Sequence, residues 1–417
     1  MQEGITIMTS IHPAAHPAAL PAVIAGVDTH ADTHHAAVIA TTGVHLADAE
    51  FDATADGYRE LRVFITSFGQ LQTVGIEGTN SYGAGLSRHL RQSGIRVVEV
   101  MRPKRQAPRR RGKSDPIDAF AAAAAVLAGG DMPTPKNADG DVEAIRVLHA
   151  ARRSAVKARG NASRQIKCLL VTAPDFVRAH FRGLSDKNLL ASLNAVRPGP
   201  ARDGVDQATL HALRHLARRH RYLSEEILQL ESDLEVIVTR AAPALIAAKG
   251  FGLVTTAQLL ITAGDNPDRI TGEASFAALC GVAPIPASSG KTTRFRLCRG
   301  GDRQANCALH QVVLVRMSCD PRTRAYIAKR TAEGKSTRDI MRCLKRAVAR
   351  EVYHLITNPV AVPRTDDLRP LRLARGLTLQ TASGHFAVWP AKISRIERGL
   401  TRDDELADAY RQWLQAA

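Results

Sequence analysis

Aromatic side chains are scarce in this chain, at 4% of 417 residues. Its core must therefore be aliphatic, and a hydrophobic content of 45% is enough to build a sizeable one. Acids are also in short supply: 40 Asp and Glu stand against 57 Lys and Arg, for a formal net charge of +17. A surplus of that size points to a polyanionic partner, most simply nucleic acid. The six cysteines (Cys168, Cys280, Cys298, Cys307, Cys319 and Cys343) include no CxxC pair. That argues against a zinc knuckle and implies no disulfide framework, so reduced thiols in a cytoplasm are expected. No run approaches the ~18 consecutive apolar residues of a membrane span. The N-terminus lacks the basic and apolar regions of a signal peptide, and none is expected. The length suits about three domains.

What the chain does have is a set of four acids in its first third. Asp28 lies in VIAGVDTH, Glu77 in TVGIEGT, and Asp115 and Asp118 in GKSDPIDA. The first two each follow a short apolar run that reads as a buried strand, so each carboxylate emerges near a strand end. The last two are three residues apart and share a face if SDPIDA opens a helix. Close carboxylates repel by roughly 4 kcal/mol per pair at an effective dielectric of ~20. Gathering four of them calls for a divalent cation, so a Mg²⁺ site and phosphate chemistry are expected. His30, His34 and His35 lie near Asp28, but a strand edge is the wrong frame for zinc at HxxxHH spacing, and they are not taken as ligands.

The order of elements supports the same idea. Three short strand-like runs, an amphipathic helix over DGYRELRVFITSFG, a strand, a helix ended by Gly94, a strand and then a helix after Asp115 follow one another. This β-β-β-α-β-α-β plan predicts an RNase H-like (RuvC-like) α/β domain over residues 21–135, after a loose tail at 1–20. Residues 136–240 predict a helical coiled-coil arm with helices at 141–172 and 205–240. The second has a heptad seam of Leu213, Leu216, Leu223, Ile227, Leu230, Leu234 and Ile237, with His220 in one slot. A mainly helical region over 241–362 begins with a helix-hairpin-helix pattern, ALIAAKGFGLVTTAQLLITAGD, where Gly250 and Gly252 suit a turn that approaches a phosphate. Residues 363–417 read as a terminal helix-turn-helix.

Cations mark several candidate nucleic-acid contacts. Arg102, Lys104, Arg105, Arg109, Arg110, Arg111 and Lys113 form a run without acids directly before Asp115. Arg152, Arg153 and Arg159 lie on the first arm helix, where a dimerisation role competes with nucleic-acid contact. Lys291, Arg294 and Arg296 flank a Ser-Ser-Gly turn that holds Ser288 and Ser289. From spacing alone that turn is structural, because a serine hydroxyl is a weak nucleophile until activated.

The blocks GVDTHADTH, GIEGTNSYGAGLSRHL, VVEVMRPKRQAPRRRGKSDPIDAFAAA and ASFAALCGVAPIPASSGKTTRFRLCRGGDRQANCALHQV resemble transposases of the insertion sequence 110 family (the 110/116/902 type). The likeness spans about residues 22–358. It implies a DEDD tetrad on Asp28, Glu77, Asp115 and Asp118, and a catalytic serine at Ser289, with Ser288 as the alternative. It further implies a DNA recombinase of a bacterial mobile element, acting in the cytoplasm on donor and target DNA and guided by a structured bridge RNA. The serine forms a covalent link to a DNA phosphate, assisted by the tetrad and its Mg²⁺. A dimer or tetramer is implied, in which the acidic domain of one subunit meets the serine domain of another. The tail from Leu368 departs from this pattern and resembles a repressor-type helix-turn-helix, with Lys392, Ser394 and Arg395 expected to face a major groove. The rival readings are a metal-only RuvC-like nuclease of branched DNA and a helix-turn-helix DNA-binding regulator.

Overall fold

The computed structural model describes residues 20–101, 114–130, 132–201, 204–290, 295–298, 300–359, 361–362, 364–399 and 403–416. The chain divides into two units, Met1–Ala138 and Asp139–Ala417.

The first unit is a five-stranded sheet with helices on both faces. Its strands are β1 (Ala22–Thr29), β2 (Thr33–Ala40), β3 (His45–Asp52), β4 (Gln70–Glu77) and β5 (Val97–Val100). They lie in the order β3-β2-β1-β4-β5. The β1–β2 and β2–β3 pairs are antiparallel, and β1–β4 and β4–β5 are parallel. The strand and helix order is the one expected from the sequence. Alternation along the strands sorts the side chains between two faces. Val23, Ala25, Val27, Val74 and Ile76 pack with Leu61 and Ile65 of helix α1 (Ala55–Thr66) and with Leu86 and Leu90 of α2 (Ala84–Gln92). The opposite face, with Ile24 and Ile39, receives α3 (Asp115–Leu127).

Two glycines let α3 lie close to the sheet. Gly26 of β1 and Gly75 of β4 are register partners. A Cβ on Gly26 would come within 2.2 Å of Ala123 N and 2.3 Å of Ala119 O. A Cβ on Gly75 would come within 2.5 Å of Val126 and 3.1 Å of Ala122 O. The alanine run of α3 supplies the matching flat surface. Pro116 fits the first turn of α3, where a missing N–H costs no helix bond.

The second unit is helical apart from one short hairpin. Helices α4 (Asp141–Val171) and α7 (Val205–Ala241) form the long pair expected as an arm. Leu213, Ile227 and Leu234 of the expected seam are fully buried or nearly so. Helices α5 (Asp175–Phe181) and α6 (Asp186–Ala195) lie between them in sequence and share a core with Ile166, Leu213 and Ala217. The largest core joins the start of α4 and the end of α7 to α8 (Pro243–Ala247), α9 (Leu253–Ala263), α10 (Glu273–Leu279), α11 (Arg303–Cys319) and α13 (Thr337–Thr357). Helix α12 (Pro321–Ala332) connects α11 and α13, and β6 (Pro284–Pro286) and β7 (Phe295–Leu297) make the hairpin.

The C-terminal helices α14 (Leu368–Ala374), α15 (Leu379–His385), α16 (Pro390–Glu397) and α17 (Asp404–Ala416) enclose a core of their own around Leu368, Ile393, Ile396 and Tyr410. Buried Arg372 forms a two-pronged ion pair with Glu397, which also accepts from Tyr410 Oη. Such a pair desolvates both charges, and its geometry recovers that cost only while every lone pair is used. Thr378 caps α15, its side chain accepting from the Thr381 N–H. Residues 386–389, in the middle of the GHFAVWP stretch, make the turn between α15 and α16, with Ala387 at a φ of 50°.

Candidate metal centre and serine hairpin

The sheet places the acids by parity and by strand direction. Asp28 follows Ile24 and Gly26 on the α3 face of β1, and Glu77 follows Gly75 on that face of β4. Both stand at carboxyl ends of adjacent parallel strands. A hydrogen bond from Thr29 Oγ1 to the Glu77 carbonyl, 2.9 Å long, ties those two ends together. Asp115 and Asp118 occupy the first turn of α3, where the helix dipole favours negative charge.

Within this group the structure brings three ligands together. His30 Nε2 lies 3.1 Å from Asp28 Oδ2 and 3.3 Å from Asp115 Oδ1. One ligand atom from each residue lies within 4.8 Å of both others. Asp28 is buried, whereas the side chains of His30 and Asp115 are partly exposed. Glu77 and Asp118 occupy the same end of the domain but do not join this three-ligand group.

The histidines separate. His34 lies on the other face, stacked on Tyr58, and burial pushes its pKa down. His35, the cross-strand partner of Asp28, is held by Asp48 at 2.7 Å. The sequence reading set all three aside; of them, His30 is the one the structure places beside Asp28 and Asp115. β1 ends at Thr29, and the His30 backbone N–H closes a turn on the Thr33 carbonyl. That turn carries the imidazole back over the carboxylates.

Ser288 and Ser289 are exposed on the segment that follows β6. Arg296 is exposed on β7, while Lys291 and Arg294 lie outside the described residues, as do Arg102, Lys104, Arg105, Arg109, Arg110, Arg111 and Lys113.

The remaining candidate cations fare unequally. Arg152 is committed to the seam between α4 and α7, its Nε donating to Glu231 at 2.7 Å. Burial lowers the pKa of His220, and the nearby charge of Arg159 adds to the effect. Arg153 and Arg395 are exposed. Lys392 is held by Asp403 at 2.8 Å. At the Gly250 turn Arg316 Nε donates to the Lys249 carbonyl, and its guanidinium lies over Phe251 and pairs with Glu351, while Lys249 and Gly252 are exposed. Gly252 N donates to Thr255 Oγ1.

All six cysteines are free thiols. Burial, with Asp302 nearby, pushes the Cys280 thiol up to about 12, so it is inert as a nucleophile.

Comparison with known proteins agrees with this layout. A family profile described as a transposase, of the DEDD type of IS110, matches residues 25–173, which contain all four acids. A second, described as the transposase IS116/IS110/IS902 family, matches residues 242–328, which contain both serines. Together they span more than half of the chain, which belongs to the IS110 family of transposases.

Among curated relatives, the IS110 uncharacterized 43.6 kDa protein of Streptomyces coelicolor is 33% identical over 129 residues, 30% of this chain and 32% of its own. The transposase for insertion sequence element IS1328 of Yersinia enterocolitica is 26% identical over 237 residues, 56% of this chain and 67% of its own. The IS900 uncharacterized 42 kDa protein of Mycobacterium paratuberculosis is 26% identical over 158 residues, 33% of this chain and 40% of its own. The matched region thus spans from about a third to two thirds of these relatives. Among the described residues no helix is long and apolar enough to cross a membrane.

Proposed function

We propose that this protein is a recombinase that moves its own insertion element, cutting and rejoining DNA with a metal-binding acidic site and a serine nucleophile. The observation that carries the reading is the convergence of Asp28, His30 and Asp115 at the end of β1 and the start of α3. The β3-β2-β1-β4-β5 order, with its antiparallel and parallel halves, supports an RNase H-like description of this domain.

The donor set fits a divalent cation. His30 lies 3.1 Å from Asp28 and 3.3 Å from Asp115, within the ~3–4 Å that separates neighbouring ligands on an ion with bonds of ~2.1 Å. Asp28, His30 and Asp115 would hold Mg²⁺, with Glu77 and Asp118 close by for a second ion or for waters. When bound, the metal supplies charge to the scissile phosphate and its leaving oxygen. Buried Asp28 anchors, and the exposed flank at His30 and Asp115 admits the DNA strand.

Ser289, with Ser288 as the alternative, attacks the phosphorus and displaces a deoxyribose hydroxyl. The bond energy is retained in a phosphoserine ester, so a second strand's hydroxyl can reverse the step and rejoin DNA without an external energy source. A bridge RNA pairing with donor and target, and a dimer or tetramer of the protein, complete the proposal. The exposed cations, including Arg153 and Arg296, would line these nucleic acids.

The test is adduct trapping on a cleaved suicide DNA. The parent is expected to give a covalent protein–DNA species on a denaturing gel. Asp28→Asn and Ser289→Ala should lower strand exchange by roughly three orders of magnitude, with Ser288→Ala near the parent. No adduct, together with full exchange in both serine variants, leaves the metal-only nuclease. Copurification of no discrete RNA with element-flanked expression removes the guide from the proposal.

A further inference from the structure

The hairpin carrying Ser288 and Ser289 is too short to orient itself. β6 and β7 have three residues each and pair as Pro284↔Leu297, Ile285↔Arg296 and Pro286↔Phe295. Two of the three β6 residues are prolines, which have no N–H to give to the ladder. The base of the hairpin is a place where the direction of the serines can be set.

The base is clamped to the first turns of α11. The incoming leg leaves α10 through Cys280 and Gly281, and the outgoing leg returns through Gly301 and Asp302. The legs touch: a Cβ on Gly301 would come within 2.1 Å of Gly281 N and 2.4 Å of its Cα. The Asp302 N–H donates to the Leu279 carbonyl at 2.7 Å, and its carboxylate caps α11 through the N–H of Gln304. Thr262 Oγ1 also donates to Asp302, at 2.8 Å.

One turn into α11, Asn306 completes the clamp. Its Nδ2 donates to two successive carbonyls, Cys280 at 3.2 Å and Gly281 at 2.9 Å. Its Oδ1 accepts from Lys345 Nζ of α13 at 2.9 Å. An ammonium group only donates, so Lys345 dictates which end of the amide faces the two carbonyls. Burial lowers the Lys345 pKa, which marks a cation drawn in from solvent to make this contact.

We propose that Asn306 and Lys345 are positioning residues that set the orientation of the Ser288–Ser289 segment; this rests on the serine reading above. Neither needs to touch DNA. Each acts through the two carbonyls at the root of the incoming strand, and so through the angle at which the hydroxyl is presented.

The test uses the full chain and three variants. Asn306→Asp keeps the volume and the Lys345 contact but loses both N–H donors. Lys345→Met removes the ammonium, and Lys345→Arg restores a donor. In Asn306→Asp and Lys345→Met, amide exchange over residues 281–290 should rise at least tenfold, with α9 and the buried part of α11 unchanged. Duplex affinity should stay within twofold, and the rate of adduct formation should fall about tenfold. Lys345→Arg should recover most of both.

Unchanged hairpin exchange overturns the proposal. So does a rise spread equally through α9 and α11, which marks a purely structural role, or a loosened hairpin with a parental adduct rate. Absence of adduct in the parent itself is a different outcome: it removes the serine reading, while hairpin exchange still reports whether the clamp exists.

Discussion

At the scale of single residues, the acidic site depends on a side chain that is missing. Gly26 lies under α3 with backbone atoms of Ala119, Ala122 and Ala123 where a Cβ would go. A methyl group there cannot be absorbed by a rotamer change, because all three neighbours are main chain. Gly26→Ala should push α3 off β1 and carry Asp115 away from Asp28 and His30. Overpacking of this kind typically costs about 1–3 kcal/mol. Calorimetry should show a lowered melting temperature, and Mn²⁺ titration should show affinity weakened by at least tenfold. Gly94, at a φ of 77° with open space around its missing Cβ, is the control for the metal readout: Gly94→Ala strains the backbone there and should lower the melting temperature without changing Mn²⁺ affinity. If Gly26→Ala melts lower but binds Mn²⁺ as the parent does, the link from helix seating to metal geometry is wrong.

Among the elements, the arm has a pH response written into its seam. His149 on α4 is buried, and desolvation lowers its pKa, with the charges of Arg153 and Arg152 adding to the effect. His220 on α7 is lowered by burial and then by Arg159. The folded arm therefore holds both imidazoles neutral, while the unfolded chain takes up protons near the ordinary value of about 6.5. Stability is full above that value and falls as the pH drops below it, until the folded arm itself protonates. For His149 the loss can reach about 1.4 kcal/mol per pH unit. Amide protection factors in α4 and α7, taken relative to the intrinsic exchange rate at each pH, should fall from pH 7.5 to 5.5, and His149→Leu should remove most of the change. An equal fall in that variant would place the response elsewhere.

These elements also mark how far the sequence can be read. The strands were legible because apolar runs ended at Asp28 and Glu77, and the arm because Leu213, Ile227 and Leu234 keep a heptad spacing. The facing of Gly26 and Gly75 was not legible, since it depends on the β1–β4 register. His30 escaped because its direction depends on where β1 stops. Asn306 and Lys345 are 39 residues apart on different helices, and nothing local in either names the other. Arg152 and Lys392 read as open cations because their partners, Glu231 and Asp403, become neighbours only on folding.

At the scale of the whole molecule, charge governs how the protein meets DNA. A net charge of +17 over 417 residues favours association with any polyanion, and part of it is already spent in pairs such as Arg152–Glu231, Arg316–Glu351 and Lys392–Asp403. The unspent cations should therefore dominate the salt dependence. Binding that neutralises Z phosphates of B-DNA gives log K against log salt a slope of about −0.9Z. Seven cations between Arg102 and Lys113 have no acid among them to pair with locally. If that run grips phosphates, replacing Arg109, Arg110 and Arg111 together by Ala should make the slope shallower by about two to three units, with little change in sequence preference. Replacing Arg152 by Ala should leave the slope near the parent's, because its guanidinium already serves Glu231. Fluorescence anisotropy on a duplex across a salt series separates the two outcomes. A slope unchanged in the triple variant would assign the polyanion contact to other cations, with exposed Arg153, Arg296 and Arg395 the next to be replaced.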